Sequence, residues 1–129
     1  MGVWGNLPWD NDAAADWFGD LFETTKLAQR VEDTLKLNVE NSHEEIRAAA
    51  SLLLFLGRVY IWPVKDLNRH LAIAADRLED VSRVDVVAES PELVEEIRAE
   101  VQELRGRIRA SDSPRPVPAS TKRWWQFWS

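Results

Sequence analysis

Cysteine is absent from the 129 residues. The chain therefore has no disulfide framework, thiolate nucleophile or cysteine-ligated zinc site, and its chemistry suits a reducing cytoplasm. Histidine is sparse, occurring only as His43 and His70. Among the five glycines there is no phosphate-cradling Gly-rich loop, and neither a nucleophile elbow nor a zinc-protease helix motif occurs. Long apolar runs are also missing. The longest, Leu52 to Trp62, is interrupted by Gly57 and Arg58 and is too short to cross a bilayer. No basic start followed by an apolar stretch opens the chain, so no secretory leader is expected. Met1-Gly2 is followed by Asn6 where a myristoylation signal wants Ser or Thr.

What is present fits one domain with one hydrophobic core. The 45% apolar content is that of an ordinary globular protein. Charge is divided unevenly along the chain. Residues 1–110 carry thirteen basic and twenty-one acidic side chains, a balance of −8, whereas residues 111–129 carry three and one, a balance of +2. An acidic body repels phosphate backbones, so nucleic acid is not an expected partner.

Apolar spacing predicts an all-α fold, a compact bundle of about five helices. Met1 to Trp9 contains Gly, Trp and Pro8 and reads as an ordered loop. Asp10-Asn11-Asp12 offers N-caps, and Ala13, Ala14, Trp17, Phe18, Leu21 and Phe22 then recur at helical intervals. Thr24 or Thr25 restarts a second helix with Leu27, Val31 and Leu35 on its inner face. Asn41-Ser42, with Glu45 three residues after Ser42, reads as a capping box. Ile46 to Leu56 is apolar nearly all round and is expected at the centre of the bundle, with Gly57 loosening or ending it. Leu67, Leu71, Ala74, Leu78 and Val81 mark an amphipathic helix. Ser90-Pro91 opens another, with Leu93, Ile97, Val101, Leu104 and Ile108 on one face and alternating charges opposite. Val84 to Ala88 alone looks strand-like.

Residues 111–121 are rich in Pro and Ser without apolar period and read as an extended linker. The segment 122–129 follows: Lys122 and Arg123, then Trp124, Trp125, Gln126, Phe127, Trp128 and Ser129. Left uncovered, so aromatic a segment would invite aggregation. Three destinations are open to it: a groove on its own bundle, a partner protein for which Trp is a favoured anchor, or a membrane interface where indoles and cations gather. One such signal would hold a membrane only weakly and reversibly.

Gly2-Val3-Trp4-Gly5, Pro8-Trp9-Asp10-Asn11-Asp12 and Ala14-Ala15-Asp16-Trp17 together resemble the opening of a bacterial domain-of-unknown-function family, number 4259. That family begins with Gly-x-Trp-Gly and a following Asp-Asn-Asp. Beyond residue 24 the likeness is one of helical pattern, including the Ser-Pro-Glu-Leu turn into the last helix. This chain departs from the family in lacking tryptophan between residues 67 and 110 and in carrying the aromatic segment. The resemblance implies a compact helical domain and no known activity. In structural terms Gly2 and Gly5 permit close backbone approach, Trp4 and Trp9 cover the end of the bundle, Asp10 or Asp12 caps the first helix, and Trp17 packs beneath. The alternative use of Trp4 and Trp9 is a ligand or partner site.

No catalytic constellation stands out. A calcium loop starting at Asp10 needs an oxygen ligand, a glycine and a glutamate where the chain has Ala14, Ala15 and Leu21. The repeated Glu-x-x-His motifs of bundle di-metal proteins are not found. Asp66 and His70, four apart on one helical face, make a conceivable metal pair or general base; the plainer expectation is a surface ion pair. No cofactor or metal is expected. The sequence thus points to a non-enzymatic helical interaction module in a bacterial cytoplasm, with peripheral contact with the inner membrane as an alternative, and with 122–129 and the pair Trp4 and Trp9 as candidate binding elements. An immunity-like protein whose acidic face neutralises a basic partner is one alternative, and a small metal-dependent hydrolase using Asp66 and His70 is another.

Overall fold

The structure, a computed structural model, describes residues 11–108 together with Gly5, Leu7 and Pro8. Among these residues it is helical without strands, with six helices: α1 Asp12–Thr25, α2 Leu27–Leu35, α3 Val39–Leu56, α4 Val64–Ser82, α5 Asp85–Ala88 and α6 Pro91–Gly106. The additional helix is α5, the segment whose β-branched run looked strand-like. One turn of helix there drops Val87 into the core while Val86 stays outside. No described helix is long and apolar enough to cross a membrane.

The ends of the helices are set by local chemistry, not always at the residues expected. Asn11, rather than Asp10 or Asp12, caps α1 and accepts from the Ala14 amide at 2.8 Å. The hydroxyls of Thr24 and Thr25 bond back to the Asp20 and Leu21 carbonyls, so they close α1 instead of opening α2. Lys26 makes the break between the two helices in the left-handed region, at φ 55°. Helix α3 starts before the expected capping box, with Asn38 accepting from the Asn41 amide. Ser42 is a kink inside it, at φ −134° and ψ 28°. Ser90 caps α6 as the Ser-Pro pair requires. Gly57 ends α3; an added Cβ would run into the Leu53 carbonyl oxygen.

The centre of the bundle is α4, not α3. Leu67, Leu71, Ala74, Leu78 and Val81 are all buried as their spacing demands, and Ala75 and His70 join them. Helix α4 packs on α2, α3, α5 and α6. In α3 only Ile46, Ala49, Ala50 and Leu53 are buried, and Phe55 is 68% exposed. A helix apolar all round still has only as many buried faces as it has neighbours, and α3 lies on one side of α4. Helix α6 contributes Ile97, Val101 and Leu104 to the core.

Arginines tie the layers together. Arg77 of α4 donates to the carbonyls of Leu35 and Leu37 at 2.7 Å each, closing the end of α2. Arg107 does the same for α3 by donating to the Leu53 carbonyl at 3.0 Å. Arg47 clasps Glu100 with two bonds, of 3.1 and 2.7 Å, and Arg105 spans Glu79 and Asp76.

Candidate functional site

Two polar side chains, Glu32 and His70, are buried in the core, and they are bonded to each other. Each continues an apolar stripe: Glu32 stands beside Val31 on the inner face of α2, and His70 beside Leu71 on that of α4. The His70 ring is reached from both sides. Trp62 Nε1 donates to Nδ1 at 3.0 Å, and Nε2 lies 2.8 Å from Glu32 Oε1. An indole N–H only donates, so Nδ1 is the acceptor and the ring proton sits on Nε2, shared with the carboxylate. Trp62 in turn meets Phe22 edge-on, with centroids 5.0 Å apart. The knot joins α1, α2, α4 and the connection that follows α3.

Further charges surround Glu32. Its Oε2 accepts from Lys36 Nζ at 2.7 Å, and Oε1 is also 2.9 Å from Arg69. The Lys36 bond, followed by the bond from His70 and then the Arg69 guanidinium, holds the Glu32 carboxyl down to about 2 against the opposing effect of burial. Arg69 reaches on to Asp66 at 2.9 Å, and that bond, with Glu32 behind it, raises the guanidinium's affinity for its proton.

The expected surface pair of Asp66 and His70 is therefore not formed. His70 faces inward to Trp62 and Glu32, while Asp66 lies at the edge and takes Arg69. The two share a helix and the margin of one cleft but no bond. Both ring nitrogens of His70 and both oxygens of Glu32 are engaged, and the one lone pair of the neutral imidazole is taken by Trp62.

The cleft beside the knot has a volume of about 590 Å³, within the range of small-ligand sites, about 300–1,000 Å³. Helix α1 forms one wall with Ala15, Gly19 and Glu23, and the floor is Phe22, Trp62 and Ile61. The opposite rim holds Tyr60, Val64 and Lys65. Tyr60 has φ 76°, a conformation that costs a non-glycine residue on the order of 1–3 kcal/mol and collects at functional clefts. A second cleft, of about 540 Å³, lies where α3 meets α5 and α6 and is lined by His43, Arg47 and Glu100. The Arg47–Glu100 clasp closes its polar side, and Glu100 raises Arg47's hold on its proton. His43 Nδ1 is buried there without a hydrogen-bond partner. Glu40 and His43 share a Glu-x-x-His spacing, yet among the described residues no group of three or more His, Asp and Glu side chains is placed to hold a metal.

No protein-family model, curated protein or solved structure matches this chain.

Of the binding elements expected from the sequence, Trp4, Trp9, Lys122, Arg123, Trp124, Trp125, Phe127 and Trp128 lie outside the described residues, as does the linker 111–121. Trp17, expected to pack beneath the N-terminal loop, is instead 62% exposed. It touches Phe18 edge-on at 5.3 Å. Successive residues on a helix point about 100° apart, and Phe18 holds the inward position. Glu32 and Trp62 were not singled out in the sequence as partners of His70. The available signal was positional, since a polar residue that continues an apolar stripe is a buried one.

Proposed function

We propose that this chain is a non-enzymatic helical interaction module that engages a protein partner through the basic and aromatic segment 122–129. The observation that supports this reading is the engagement of the buried polar knot: Trp62 and Glu32 take the two ring nitrogens of His70, and His70, Arg69 and Lys36 share the two carboxylate oxygens of Glu32. A general base needs an unclaimed lone pair within reach of substrate, and the imidazole of this knot offers none. The segment 122–129, with four aromatics behind two cations, has the composition of a protein anchor.

The likeness of residues 2–17 to domain-of-unknown-function family 4259 is part of this proposal, as is a bacterial cytoplasmic location with at most peripheral contact with the inner membrane. A second reading, an immunity-like protein covering a basic partner, is favoured by the outer edge of α1. Asp12, Asp16 and Asp20 share that edge and enter no ion pair among the described residues. Hydrolysis through Asp66 and His70 finds less support, because Arg69 and Glu32 hold those side chains apart.

The test compares the full chain with a chain ending at residue 121. Each is used for affinity capture from bacterial lysate and for co-sedimentation with vesicles of phosphatidylglycerol and phosphatidylethanolamine. A specific captured protein that is lost on truncation is the expected result. Equal capture by both forms removes segment 122–129 from the function, and sedimentation without protein capture moves the target to lipid.

A further inference from the structure

The cleft over Phe22 and Trp62 opens beside a helix face that nothing among the described residues covers. Along α1, Asp12, Asp16 and Asp20 recur every four residues, forming an acidic edge next to exposed Trp17. One turn further Glu23 continues the edge into the cleft, where it takes Lys26 at 3.6 Å. Between them Gly19 leaves open space, since a Cβ built on it meets nothing within 4 Å. Across the cleft Tyr60 is 56% and Val64 73% exposed. The surface thus combines an apolar slot with an anionic border on one side. The far rim carries Lys65 beside Asp66, whose charge is met by Arg69.

The chain itself carries a segment of the complementary kind. Lys122 and Arg123 directly precede Trp124, Trp125, Phe127 and Trp128. Residues 111–129 have a balance of +2 against −8 for the remainder, so the attraction runs between the two parts of one molecule. The geometry of departure favours this cleft. Arg107, one residue past α6, bonds the Leu53 carbonyl in the last turn of α3. The connection that leaves this turn through Gly57 supplies Tyr60 and Trp62 to the cleft. From that end of the bundle the thirteen residues 109–121 extend up to about 45 Å, whereas a domain of this size has a radius of gyration of about 13 Å. The opening residues 1–10 are the nearer rival, but they contain no Lys or Arg to meet the edge of α1.

We infer that the cleft between α1 and the 57–63 connection is the docking site of the chain's own segment 122–129, its indoles over the apolar slot and its two cations against Asp16 and Asp20. The inference rests on the proposed function in treating 122–129 as a recognition element, and it adds regulation. Docked on α1, the segment is withheld from other surfaces, and a partner must displace it.

The absence of cysteine allows a single spin label to be placed at Ser129→Cys in the full chain. Paramagnetic broadening of backbone amides then maps where the segment rests. The expected result is loss of most signal intensity at Gly19, Glu23 and Tyr60, unchanged on dilution. The broadening should be relieved by Gly19→Leu, which fills the slot without touching the core, and by Asp16→Lys with Asp20→Lys, each variant keeping its helical circular dichroism. Broadening on another face, or none, overturns the inference. So does transfer of broadening from labelled to unlabelled chains in a mixture, which would make a second copy the occupant. The outcome is independent of the capture experiment: a docked segment with no external target removes the proposed function alone, and an undocked segment that still captures its partner removes this inference alone.

Discussion

Helices α4 and α1 look alike in sequence and differ in the fold. Both carry apolar residues at intervals of three and four. In α4 that stripe is wholly buried between neighbours on several sides, whereas of α1 only Phe22 is buried, with Phe18 packed part-buried against the core. The difference lies in what each helix has to pack against. Helix α4 lies among four others, while α1 rests chiefly on α2 and, through Phe22, on Trp62. Periodicity reports which face of a helix is greasy; the number of neighbours decides how much of it is covered.

The largest effect that would sharpen this comparison is expected at its contact point. Trp62→Ala removes the buried indole that meets Phe22 and holds His70, at a cost of about 3–5 kcal/mol in urea unfolding. A loss below about 1 kcal/mol would mean that the knot is not a keystone of the core. Next, Leu71→Ala in α4 should cost about 2–5 kcal/mol.

Glu32→Gln, which leaves Lys36 and Arg69 facing a neutral amide, should cost about 1–3 kcal/mol near neutrality. It also tests a pH dependence. The Glu32 carboxyl lies at about 2 in the folded chain against 4.5 as its ordinary value. A depressed carboxylate stabilises fully above its unfolded value and ceases to do so as pH falls through its folded one. Between pH 4.5 and 2 the melting temperature of the native chain should therefore fall more steeply than that of the variant. Parallel curves would remove Glu32 from the acid response.

Smaller effects belong to α1. Asn11→Ala should cost about 1 kcal/mol, visible as faster amide hydrogen exchange confined to α1 while the amides of α4 keep their protection. At the low end, Trp17→Ala should change global stability by no more than about 0.5 kcal/mol. A drop of several kcal/mol would show Trp17 to be covered.

The core face of α4 was legible because each of its apolar positions agrees with one helical period. The start of α6 was legible because Ser90 and Pro91 suit only that place. The left-handed break at Lys26 was not, since neither glycine nor asparagine marks it. The paired threonines read as the opening of α2, whereas their hydroxyls turn back on α1. The partner of His70 was hidden for a different reason. Asp66 is near in sequence, but Glu32 stands thirty-eight residues away, and such a meeting emerges only once α2 is laid against α4. The candidate cleft was likewise out of reach, because its walls come from three stretches that share no motif.

Trp62 occupies the one lone pair by which His70 could accept a proton from outside. Phenylalanine at that position would preserve a ring against Phe22 yet release Nδ1 toward the cleft, with Glu32 still steering the imidazole from behind. That is how a carboxylate orients a histidine base in unrelated hydrolytic enzymes. The scaffold therefore stands a single replacement from an oriented acid–base dyad.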